Sequence, residues 1–162
     1  MTTQQILKDE FDLLAKELIQ KYDEKGMRAS GKWADELEVV SSPLSVVLLG
    51  LDYSQQLEAG RRANNGSSGD KWENSLADIE QWIQDKGIKP IEDKMKISTL
   101  AFLIARKIAR EGWNRQGYGG VELISEVVTD ERIQSILDKL SDAYLIEVST
   151  DIIKQFQTLE VA

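Results

Sequence analysis

The chain has 162 residues, 41% hydrophobic and 30% charged, which is enough for one domain with its own core. A formal net charge of -8 excludes broad binding along a phosphate backbone, which needs a basic surface to release counterions. With neither cysteine nor histidine, the chain has no disulfides, thiolate metal sites or cysteine nucleophiles, and it lacks the usual general base of a serine-histidine-acid site.

The first element is an amphipathic helix over about 3–25. Ile6, Phe11, Leu14, Leu18 and Ile19 form its apolar stripe, and Lys8, Asp9, Glu10, Lys16 and Glu17 spread over the remaining surface. The stripe packs either on the domain's own sheet or on a neighbouring subunit. Gly26 and the Ala29-Ser-Gly-Lys stretch end the helix and open a connector. Residues 36–59 change character. Leu37 and Val39 alternate with acids, Ser41-Ser-Pro43 makes a break, and Leu44 to Leu51 is a short β-branched run. A hairpin is the simplest reading, with the second strand inside a sheet or under a helix, away from an open edge. Tyr53 to Ala59 either extends that strand or makes a short helical turn.

Residues 60–70 read as an exposed, mobile loop with three glycines. Neither the Walker nor the dinucleotide glycine pattern is present, so no cofactor is expected there. Arg61 and Arg62 are either solvated or reach acidic groups on a partner. The spacing then predicts a helix over 72–86 carrying Trp72, Leu76, Ile79, Trp82 and Ile83, and ending at Gly87 with an apolar contact from Ile88. Its tryptophans belong to the core or half-core, or one of them anchors an interface.

The strongest pattern lies at about 97–111. Leu100, Leu103, Ile104 and Ile108 share one helical face, widened by Ala101, Phe102 and Ala105, so this helix is expected to be largely buried and central. Gly112 ends it in a left-handed turn. Residues 112–120 form a second loop, in which Trp113, Arg115 and Tyr118 stand among four glycines. These side chains either fold back onto the domain or make a contact that orders on assembly. Over 129–159, Ile133, Ile136, Leu137, Leu140 and Tyr144 share a face, extended by Ile152, Ile153, Phe156 and Leu159. The alternation and β-branched content of 143–150 allow a short strand, while the flanks favour one long or broken helix; two helices with a break near Ser149 are expected. The fold class expected is α+β, a single domain with a small antiparallel sheet packed against several helices.

No residues carry a catalytic or metal site. Paired carboxylates of the glycosidase kind are the enzymatic alternative, but the 28 acidic residues lie mainly on polar helix faces and none stands in a motif whose spacing demands chemistry. No calcium-loop pattern occurs. The longest apolar runs fall short of the ~18 residues of a membrane span, and Met1-Thr-Thr-Gln-Gln does not begin a signal peptide, so a protein without a membrane partner is expected.

Three pieces recur in this order in a known group: Tyr53 with the corner Glu58-Ala-Gly-Arg61, then Ile79-Glu-Gln-Trp-Ile-Gln-Asp-Lys-Gly-Ile88, then Leu100-Ala-Phe-Leu-Ile-Ala-Arg-Lys-Ile-Ala-Arg-Glu-Gly112. Over 53–112 the chain resembles the neck or tail-completion proteins of tailed bacteriophages. Where that group has a proline-containing stretch after Gly-Arg and a threonine after Glu-Gly, this chain has Ala63-Asn-Asn-Gly and Trp113. The resemblance implies a small, non-enzymatic α+β virion protein, made in the host cytoplasm. It would form part of a ring at the head-to-tail connector, with copies of itself and with portal, adaptor and tail proteins as partners. Nucleic acid would matter only as the genome passing through the ring. The candidate interface residues are Arg61, Arg62, Trp113, Arg115 and Tyr118. An intracellular adaptor or regulatory domain is the alternative.

Overall fold

Thr2 starts the first helix by accepting the Gln5 backbone N–H on its hydroxyl, 3.2 Å away, and α1 then runs over Thr3–Glu24. This comes from a computed structural model that describes residues 2–43, 45–63, 70–90, 94–113 and 120–160. The remaining elements are α2 (Lys32–Asp35), β1 (Glu38–Ser42), β2 (Ser45–Leu49), α3 (Ser54–Ala59), α4 (Asp70–Asp85), α5 (Ile97–Glu111), α6 (Leu123–Val127) and α7 (Asp130–Glu160). The fold is α+β, as the patterning implies. No helix among the described residues is long and apolar enough to cross a membrane.

The centre of the domain is α1, which packs against β1, β2, α6 and α7. Its buried residues are Glu10, Leu14, Leu18 and Tyr22, a track repeating every four residues. Tyr22 stacks on Trp33 of α2, with ring centroids 4.6 Å apart. Around this pair close Leu18, Ala34, Val121 and Leu123. Trp33 is thus a core residue in a stretch that reads as a connector, and α2 and α6 are short helices that periodicity does not reveal.

The hairpin is antiparallel, with Val40 opposite Val47 and Ser42 opposite Ser45. Val46 is buried and Leu48 half-buried, whereas Val47 and Leu49, pointing the other way, are exposed. The second strand lies against α1, as expected of a strand under a helix, but the expectation that it avoids an open edge is corrected: with two strands only, each keeps an open edge among the described residues. The hairpin also ends at Leu49, and Ser54–Ala59 is helical.

Two further expectations change. Helix α5 forms where expected, but its buried residues are Ala101 and Ala105, while Phe102 and Leu103 are each 44% exposed. It pairs with α4, whose Ile83 is fully buried. Periodicity identifies an apolar face; it does not say that another element covers it. The C-terminal region is one uninterrupted helix with no break near Ser149. The Thr150 hydroxyl donates to the Ile146 carbonyl at 2.8 Å, so this β-branched residue meets its polar need inside the helix.

Helix α7 runs antiparallel to α1, joined by polar contacts in register. Thr3 Oγ1 donates to Glu147 at 2.8 Å, Lys139 Nζ to Glu10 at 2.5 Å, and the Arg132 guanidinium to Glu10 at 2.8 Å and Glu17 at 3.3 Å. Since α1 begins level with Glu147, residues 148–160 continue past it for about 20 Å at 1.5 Å per residue.

Candidate interaction groove

The corner from Tyr53 to Arg61 positions the site. Trp33 donates its indole N–H to Ser54 Oγ at 2.9 Å, and that hydroxyl donates onward to the Leu51 carbonyl at 2.6 Å, fixing the start of α3 on the core. At the other end of α3 the Glu58 carboxylate accepts the backbone N–H groups of Ile124 (2.6 Å) and Ser125 (3.0 Å), and also the Ser125 hydroxyl. It thereby caps α6, whose first N–H groups have no partner within that helix. Replacing Glu58 with Ala is expected to cost about 1–2 kcal/mol, read as a lowered urea midpoint with an unchanged slope.

Beyond Gly60 the chain makes a single β-bridge: Arg61 N–H donates to the Trp113 carbonyl at 2.8 Å, and Trp113 N–H donates back at 2.6 Å. Gly112 permits this closure, and Gly120 permits the neighbouring approach of the chain to the end of α3. A Cβ on Gly112 would stand 2.3 Å from the Arg61 carbonyl oxygen, and one on Gly120 would stand 2.2 Å from that of Glu58. The residues of the Glu-x-Gly-Arg corner thus share one construction: Glu58 holds α6, and Arg61 holds the exit of α5.

Between this corner and the α4–α5 pair lies an open, mainly apolar cavity of about 390 Å³. Its aromatic walls are Tyr53, Trp82 and Trp113, and its aliphatic floor includes Leu57, Ile79 and Ile108. Arg61 and Asp78 supply opposite charges. Partial burial pushes the Tyr53 hydroxyl above its ordinary value, which keeps it a protonated hydrogen-bond donor. Among the described residues, Asp78 is the one carboxylate in this lining. Among the described residues no cluster of acids could hold a metal ion. What the arrangement offers is apolar, aromatic contact with a small charged component, the composition of an interaction site.

No family model, curated protein or solved structure matches this chain.

Of the residues singled out in the sequence, Arg61 and Trp113 come together in the bridge and in the groove wall. Trp113 also folds back, packing half-buried against the Tyr22–Trp33 core. Arg62 is exposed beside the bridge, and Arg115 and Tyr118 lie outside the described residues. Trp82 stands 41% exposed at the groove. Asp78 and Ile108 were not singled out as site residues. Asp78 precedes Trp82 by one helical turn, a local signal that places both on one face of α4.

Proposed function

We propose that the chain is a non-enzymatic structural subunit of a tailed-bacteriophage neck, assembling with copies of itself into the head-to-tail connector ring and touching portal, adaptor and tail proteins. The observation that carries this reading is the end of α7. Ile152, Ile153 and Phe156 are 48%, 56% and 66% exposed, and α1, the helix on which α7 packs, does not extend to them. The three side chains lie within one arc of about 100°, an apolar helix face suited to burial, and an assembly would supply that cover. Support also comes from the resemblance motifs, because Tyr53, Arg61 and Trp82 line one groove and Gly112 adjoins it.

Quantitative peptide mass spectrometry on gradient-purified particles, from the lysate carrying this gene, tests the proposal. Roughly six or twelve copies per particle are expected for a closed cyclic ring. Absence from particles, with abundant protein in the infected-cell extract, would remove the neck assignment in favour of an intracellular adaptor.

A further inference from the structure

We infer that the α4–α5 pair is a hinged lobe that swings about Gly112 and so opens or closes the groove against α3. The residues packed around the Tyr22–Trp33 core come from α1, β2, α3, α6, the segments joining them and Trp113, and among the described residues none belongs to α4 or α5. Those two helices pack chiefly on each other, with Ile83, Ala101 and Ala105 buried there. The chain is thus a body and a lobe with separate apolar clusters, and units joined without a large shared apolar interface move against each other by default. This motion belongs to the free chain and does not depend on the ring assignment.

The joint is narrow. Trp113 packs on the central core and is bridged to Arg61, so the bridge belongs to the body, and α5 reaches it through Gly112 alone. The other connection, residues 62–69, has the length for α4 to follow a swing. Gly112 ends α5 at φ 78° and ψ −173°, and turning its torsions carries α5, with α4 packed on it, while both bridge hydrogen bonds stay made. The lack of a side chain leaves room to turn, since a Cβ here would stand 2.3 Å from the Arg61 carbonyl oxygen. A second link acts as a latch: Lys86 Nζ, at the end of α4, donates to the Gly26 carbonyl at 2.5 Å. Its flexible four-carbon stem lets that contact break and re-form. The drive towards closure is apolar. Tyr53 on the body's wall and Trp82 on the lobe's wall stand 40% and 41% exposed in a shared open cavity of about 390 Å³, and bringing the walls together takes both rings out of water.

Because the chain has no cysteine, engineered thiols carry spin labels at chosen positions only. Three full-length double variants use exposed residues: Lys16→Cys with Thr99→Cys spans body and lobe, Lys16→Cys with Asp52→Cys stays in the body, and Ala77→Cys with Thr99→Cys stays in the lobe. Thr99 lies about 20 Å along α5 from Gly112 at 1.5 Å per residue, so a swing of about 20° moves it about 7 Å. Pulsed electron–electron resonance should give a body-to-lobe distance distribution at least about twice as wide as either control. Adding Lys86→Met should shift that distribution to longer distances by releasing the latch. A body-to-lobe distribution as narrow as the controls, with and without Lys86→Met, would overturn the hinge. So would a lobe control that broadens equally, because α4 and α5 would then be loosening from each other instead of moving as one unit.

Discussion

Gly112→Ala is expected to destabilise the protein by about 3 kcal/mol, with a fall in Tm of about 6–12 °C for a domain of this size. Two independent costs combine. The residue sits at φ +78° and ψ −173°, a region essentially reserved for glycine, where a residue with a Cβ carries a strain of about 1–3 kcal/mol. The added carbon would stand 2.3 Å from the Arg61 carbonyl oxygen and 2.9 Å from the Ala63 nitrogen, both backbone atoms that cannot rotate away. Relieving that clash opens the Arg61–Trp113 bridge, at a further cost of about 1–3 kcal/mol. Gly26→Ala is the control, because Gly26 has φ +65° and nothing lies within 4 Å of the position its methyl group would take. It should lose only the conformational part, about 1–2 kcal/mol. Thermal melts of both variants, with amide exchange read at Arg61 and Trp113, check the difference. Equal losses would mean that the close approach at Gly112 contributes nothing.

Local chemistry made much of this fold legible in the sequence. Gly87 ends α4 in a left-handed turn, and the Ile88 N–H returns to the Ile83 carbonyl at 3.0 Å, the pattern expected from Lys-Gly-Ile. The ranges of α1, α4 and α5 follow from apolar spacing and from such stops. What could not be read depends on distant partners. Glu10 looks like one more acid on a polar helix, yet it is only 8% exposed because Arg132 and Lys139 meet it from 122 and 129 residues further along the chain. Trp33 looks like a residue of a linker, but its indole N–H needs the Ser54 hydroxyl and its ring needs Tyr22. Candidate site residues were found where unusual chemistry stood in a loop, as with Arg61 and Trp113. Their pairing across the fold, and the cavity they share with Trp82, required the tertiary structure.

Glu10→Ala should cost about 2 kcal/mol at neutral pH, equivalent to a fall of about 4–8 °C in Tm. Breaking a fully buried ion pair costs about 3–5 kcal/mol, but here the strandings are partial. Lys139 is half exposed and can return to water, and Arg132 keeps Glu17 at 3.3 Å. The loss should depend on pH. The Lys139 ammonium, hydrogen-bonded to Glu10, holds its carboxyl below the ordinary 4.5; burial opposes this, and Arg132 adds to the lowering. A carboxyl whose folded value lies below its unfolded value binds fewer protons in the folded state, so its stabilisation is complete above about pH 4.5 and disappears as pH falls through the folded value. The stability gap between the natural chain and Glu10→Ala should therefore be constant near neutrality and should shrink steadily below about pH 4.5. Chemical denaturation of both proteins across that range measures it. A gap that grew on acidification would place Glu10 outside the ion cluster. The same contacts set the register of α7 on α1, and hence how far its apolar end projects. Replacing Glu10 and Arg132 together with Leu and Met should keep more of the stability than Glu10→Ala does, since apolar packing substitutes for this largely buried pair while the half-exposed Lys139 stays in water.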